Sequence, residues 1–226
     1  MTNMMILKKI TLFFNREIRL FYSNITDLFS NILFFFLSIF IFIFAIGPDD
    51  HLLNKIGVGI IWTLLLFSST LSIRKFYEDD FKNGSLIIMH MGGLSYELIV
   101  ILKIFSHFIF VHIPFLISIP IASLLFNLPL NEIIFLILSF VVGSFILSCL
   151  GSISASMNLL NKINFTIGSV IILLFSIPVI IFSVALIDAN SDFNSLLNIL
   201  FGIALIFLGI APWSSAACIK LAIKYK

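Results

Sequence analysis

The stretch LFSNILFFFLSIFIFIFAIGPDD, residues 28–50, carries no charged side chain until Asp49 and Asp50 arrive together. A helix of about 20 predominantly apolar residues crosses a hydrocarbon layer about 30 Å thick, and Leu28–Ile46 meets that description on every face. Such a helix would aggregate in water. Gly47-Pro48-Asp49-Asp50 then closes it with a turn and two carboxylates, each of which would cost roughly 2.5–3.5 kcal/mol at the bilayer centre. Residues 28–46 therefore read as a first membrane span.

The rest of the chain repeats this pattern. Over its 226 residues 61% are hydrophobic and 11% charged, and the mean hydropathy is +1.20; soluble domains carry about 25% charged residues. The apolar residues, 27 phenylalanines among them, lie in long runs. That excludes the alternating segments of about ten residues from which outer-membrane barrels are built. Five more spans follow, at about 56–73, 98–126, 133–157, 165–187 and 196–217, so the fold class is an all-α membrane protein with six transmembrane helices. Pro114 and Pro120 are expected to bend the third span, because each removes a backbone donor. Pro178 interrupts the fifth, and Ala211-Pro212-Trp213 predicts a kink beside an interfacial aromatic anchor in the sixth. Ser144, Ser148, Ser152 and Ser156, flanked by Gly151 and Ala155, put small side chains on one face of the fourth span, a pattern for close helix packing more than for a polar path.

Ahead of the first span, residues 5–27 place Ile6, Leu7, Ile10, Phe13, Phe14, Ile18, Phe21 and Ile25 at spacings of three and four, with Lys8, Lys9, Asn15, Arg16 and Arg19 mostly opposite. This predicts an amphipathic helix lying in the headgroup layer with its basic face on anionic lipid. It lacks the short apolar core and small-residue cleavage site of a signal peptide, so it is expected to stay in the mature protein.

Charge sets the topology. Of the 13 Lys and Arg residues, an arrangement with both termini in the cytoplasm leaves only Lys55 outside, as the positive-inside bias requires. The same clustering at span ends explains the net charge of +2 without nucleic acid. Residues 74–97, RKFYEDDFKNGSLIIMHMGGLSYE, then form the one long polar interval on the inner side. Glu78, Asp79 and Asp80 precede Gly84-Ser85-Leu86-Ile87-Ile88-Met89, an acidic turn leading into a short apolar helix capped by Asn83 or Ser85. Such a helix outside the membrane needs a groove to enter. It reads as a cytoplasmic coupling segment docked by another protein, with packing on its own bundle as the alternative.

Little else carries chemistry. No G-x-x-x-x-G-K-[ST] phosphate loop is present, so any ATP is bound by a partner chain. No catalytic constellation or metal-ligand spacing appears, and Cys149 and Cys218 read as packing residues. His107 and His112 in the third span could ligate heme iron. Five residues apart on an α-helix is about 140° of rotation, so the two are expected to diverge. A heme-ligating membrane carrier or redox protein using His107 or His112 is the alternative function.

Gly47-Pro48, Gly59-Ile60-Ile61-Trp62, Asp79-Asp80 with Phe81 to Leu86, and Ala211-Pro212-Trp213 occur in an order and approximate spacing that resemble the heme exporter protein B (CcmB) family over essentially the whole chain. The departures are Ile87 and Gly93, where the family pattern has a Glu and a Pro. The resemblance implies an ABC-2 exporter-type permease without bound cofactor. It would be served by an ABC ATPase subunit that binds ATP, by a heme-handling membrane subunit and by a second copy of itself, with heme as substrate of the complex. It also implies c-type cytochrome biogenesis in a bacterial inner membrane or, alternatively, a mitochondrial one. The ATPase would dock on Glu78, Asp79, Asp80, Gly84, Ser85, Leu86 and Ile88.

Overall fold

A computed structural model of the protein describes residues 2–73, 75–160, 166–187 and 192–225. Arg74, Lys162 and Lys226, which enter the charge argument above, and residue 165 at the start of the expected fifth span lie outside them. The described residues form helices and short turns with no strand. In order these are α1 (Thr2–Ser23), α2 (Ile25–Ile46), α3 (Asp50–Ile73), α4 (Glu78–Lys82), α5 (Ser85–Met91), α6 (Tyr96–His107), a π-helical turn (Phe108–His112), α7 (Ile113–Leu125), α8 (Leu130–Leu160), α9 (Thr166–Ala185) and α10 (Phe193–Lys224).

Among the described residues five helical segments are long and apolar enough to cross a membrane: α2, α3 with its continuation, α6 with α7, α8 and α10. The expected fifth span is the exception. There α9 runs for 20 residues, about 30 Å at 1.5 Å per residue, with Val170–Ala185 as its described apolar stretch, shorter than the other five.

The bundle is built around α8, whose buried face runs from Ile133 to Ser156 and packs on α3, α9 and α10. Its serine stripe is buried, and three of its hydroxyls donate back to the helix's own carbonyls: Ser144 to Val141, Ser148 to Ser144 and Ser156 to Ile153. Polar side chains can thus sit in an apolar interior without stranding a donor. Trp62 of α3, fully buried, lies on Phe140 of α8 with ring centroids 5.8 Å apart. By contrast α2 buries only Phe35 and Ile39, one face at i and i+4, and leaves Phe29, Leu33, Leu37, Ile41 and Phe44 outward. It is the outer helix of the bundle.

Side-chain pairs show which element ends lie together. Asp27 at the start of α2 pairs with Lys75 just beyond α3, Arg16 of α1 with Asp80 of α4, and Glu97 at the start of α6 with Lys220 near the end of α10. At the opposite end the Asn127 amide donates to Asp50 at 2.8 Å and its carbonyl accepts from Asn54 at 2.9 Å. The aspartates after the first span do more than stop it, since Asp49 accepts from the Leu52 amide and so caps α3.

One expectation changes. The irregularity in the third span is a π turn placed directly before Pro114, with the Ile113 amide donating to the Phe108 carbonyl; an i→i+5 turn accommodates the crowding that a helical proline imposes on the preceding turn. Helix α10 runs as one helix through Pro212, with Pro212 buried and Trp213 71% exposed.

Candidate functional site

The connection from α3 to α6 folds into two short helices stacked against the bundle. α4 is five residues long, too short to persist alone. Gly84, at φ 71°, turns the chain from α4 into α5. Neither Asn83 nor Ser85 caps α5; Gly84 occupies that position with no side-chain cap. The far end of α5 is a Schellman turn: the Leu94 amide donates to the Met89 carbonyl and Gly93, at φ 87°, donates to His90. Leu94 is buried, as the hydrophobic contact of that motif requires. Ser95 then caps α6 by accepting from the Leu98 amide.

Within this frame the predicted docking residues separate. Leu86 is 1% and Asp80 4% exposed, so both face the chain's own interior. Glu78, Gly84 and Ser85 are intermediate, Asp79 is exposed, and Ile88 and Met91, three apart on α5, are exposed as well. The apolar helix therefore both lies back on its bundle and presents an apolar edge.

Asp80 enters a cluster of four charges in which Glu17, Asp80 and Lys103 are buried and Arg16 is half-buried. Lys103 of α6 donates to it at 2.6 Å, the Arg16 guanidinium of α1 donates to its other oxygen, and Glu17 accepts from Arg16 at 2.8 Å and from Lys103 at 3.1 Å. This corrects the expectation that Arg16 lies on the outer, lipid-facing side of α1. Arg16 and Glu17 lie three and four residues after the buried Phe13 and share its inward face. Burial opposes a charged guanidinium, but the Asp80 and Glu17 carboxylates outweigh it and raise the pKa of Arg16. A cavity of about 330 Å³ opens beside the cluster, with Phe21, Phe76 and Phe110 on its apolar wall. Tyr77, fully buried at the start of α4, makes a second anchor: its hydroxyl is 2.8 Å from Ser152 of α8, which is 3.0 Å from Ser215 of α10.

The two histidines meet, against expectation. The π turn lays residues five apart nearly over one another, and the rings of His107 and His112 stand 5.0 Å apart, edge to face. Both Nδ1 atoms are 3.2 Å from the Ser148 hydroxyl, and His107 Nε2 is 3.0 Å from Ser72. Axial ligands approach heme iron from opposite faces of the macrocycle, and no gap for one separates these rings. His107 has both nitrogens engaged, whereas His112 Nε2 is buried without a partner. Among the described residues no group of three or more His, Cys, Asp or Glu is placed to hold a metal ion.

Sequence reasoning missed Lys103, Glu17 and Tyr77. Lys103 carried a readable signal, since a charge within an apolar run calls for a partner, but nothing in the spacing names residues 80, 16 and 17 as that partner.

The profile of the CcmB protein family matches residues 8–222. The chain is similar to heme exporter protein B of Haemophilus influenzae, 29% identical over 92% of this chain and 96% of that one. It is likewise similar to heme exporter protein B of Bradyrhizobium diazoefficiens, 30% identical over 84% and 87%, and of Escherichia coli K12, 27% identical over 93% and 97%.

Proposed function

The chain belongs to the CcmB protein family, and from that membership we propose that it is the permease subunit of an ABC transporter that exports or delivers heme for c-type cytochrome biogenesis. In this reading the chain crosses the bacterial inner membrane six times, with both chain ends and the α4–α5 segment in the cytoplasm; the five long apolar helices and the bacterial relatives support it. A separate ATPase subunit hydrolyses ATP, a heme-handling membrane subunit and a second copy of this chain complete the complex, and this subunit holds no cofactor of its own.

The observation that supports this reading most directly is the form of α4 and α5. A chain without a phosphate loop carries two short helices outside its long apolar ones, joined by glycine turns at Gly84 and Gly93 and anchored at Asp80 and Tyr77, with Asp79, Ile88 and Met91 outward. A rigid element with an exposed acidic and apolar edge suits a groove on a partner protein. Leu86 and Asp80 shape that element from behind, and the contact itself falls to Glu78, Asp79, the Gly84-Ser85 turn and Ile88.

The test is co-purification of the ATPase encoded alongside this protein. Ile88→Asp, at a position 67% exposed, leaves the bundle intact and releases the ATPase from the detergent-solubilised complex. Full retention of the ATPase by that variant would show that docking lies elsewhere.

A further inference from the structure

We propose that the cluster Arg16–Glu17–Asp80–Lys103 is the joint through which movement of the docked ATPase reaches the membrane helices, with Lys103 its receiving residue on α6 and the π turn after His107 the place where the displacement is absorbed. The inference rests on α4–α5 being the docking surface and adds the route from that surface inward.

Three separate elements meet at the cluster. α4 contributes Asp80, α1 contributes Arg16 and Glu17, and α6 contributes Lys103, each charge facing a partner of opposite sign. Lys103 stands two turns inside α6 and is 7% exposed. A cation at that depth is costly unless paired, and a buried ion pair is a poor source of stability, because well-packed apolar residues of similar volume commonly do as well or better. What a charge-assisted bond supplies that apolar packing does not is a directional tie between particular atoms. Here it ties the outer coupling helix to a membrane helix at 2.6 Å, while α1 braces both from the headgroup side.

The tie continues along α6. His107 lies one turn beyond Lys103 and packs on Phe76, with ring centroids 4.7 Å apart, so the segment that leads into α4 holds α6 at two successive turns. The next five residues are the π turn, and beyond it Pro114 opens α7. A π turn within an α-helix can exchange its i→i+5 bonds for i→i+4 bonds, which lets the first half of a span rotate or slide while the second half stays seated. Around that turn His112 Nε2 and Ser106 Oγ are buried without partners, as fits a segment whose hydrogen bonds are not saturated in this one arrangement.

The test uses the complete transporter in cells whose own copy of the gene is replaced. It measures membrane abundance of the subunit, ATPase retained on purification, ATP hydrolysis and yield of c-type cytochrome. Lys103→Met is expected to keep abundance, ATPase retention and hydrolysis while lowering cytochrome yield by roughly tenfold or more, the scale of a 1–3 kcal/mol coupling. Lys103→Arg restores the yield, and Asp80→Asn with Lys103→Met is no worse than either change alone. If Lys103→Met fails to accumulate, Lys103→Gln and Asp80→Asn, which keep volume and a hydrogen bond, carry the same expectation. Wild-type yield from these variants, or loss of the ATPase from the Asp80 variant, overturns the proposal; retention of the ATPase by Ile88→Asp instead overturns the docking reading beneath it.

Discussion

Gly143 lies beneath the indole of Trp62, where an added Cβ would stand 2.4 Å from Trp62 Cη2, whereas a Cβ on Gly202 of α10 would meet open space. Gly143→Ala should therefore lower the melting temperature in detergent by the equivalent of about 1–3 kcal/mol of overpacking. Gly202→Ala should be neutral or raise it, since Ala is favoured over Gly inside a helix by roughly 0.5–1 kcal/mol. Equal losses in the two would show that Gly143 does not set how closely α3 approaches α8. At this scale Ser144, Ser148, Ser152, Ser156, Gly151 and Ala155 were legible as a packing face of α8, but Gly143 and its partner Trp62 were not. Spacing reports which side chains share a face of one helix; it does not report what lies opposite. The same blindness hid the pairing of Lys103 with Asp80 and Glu17, 23 and 86 residues away along the chain.

The stop after the first span was legible because it is written in local chemistry, Gly47-Pro48 after α2, whereas Ser95 at the start of α6 and Gly93 at the end of α5 were not read as caps, and the α5 cap expected at Asn83 or Ser85 falls to Gly84. Gly93 carries the sharper consequence, since its φ of 87° and its donated hydrogen bond to His90 are both closed to proline. Gly93→Pro is expected to unfold the α5–α6 junction and expose residues 84–95 to proteolysis in inside-out membrane vesicles, and Gly93→Ala to weaken the junction by about 1–2 kcal/mol, the price of a left-handed non-glycine residue. An intact protease pattern in the proline variant would mean that the junction can be built another way. The π turn is the element that local pattern did not reveal. An apolar run reads the same whether it winds with four or five residues between bonded groups, and so the two histidines, placed about 140° apart on an ideal helix, came together on Ser148. Similarly, the amphipathic period of α1 was readable, yet Arg16 turned inward because a buried carboxylate waits there.

For the molecule as a whole, the pairs Asp27–Lys75, Arg16–Asp80 and Glu97–Lys220 lie at one end of the bundle and Asn127 with Asp50 at the other. With Cys149 and Cys218 replaced by Ala, single cysteines at Met91 and Asn127 should react with a membrane-impermeant maleimide from opposite sides, Met91→Cys only in inside-out vesicles and Asn127→Cys only in right-side-out ones. Reaction of both from one side would refute the topology. Composition determined the broad outline, because transfer free energy follows residue type and run length: long apolar helices and one polar interval of 24 residues from Arg74 to Glu97. Tertiary structure decided how that interval packs. Whether Asp80 and Leu86 face a partner or their own bundle, and which cation deep in α6 answers to Asp80, depends on how separate helices dock, and the interaction of buried charges is set by distances in space that sequence separation does not encode.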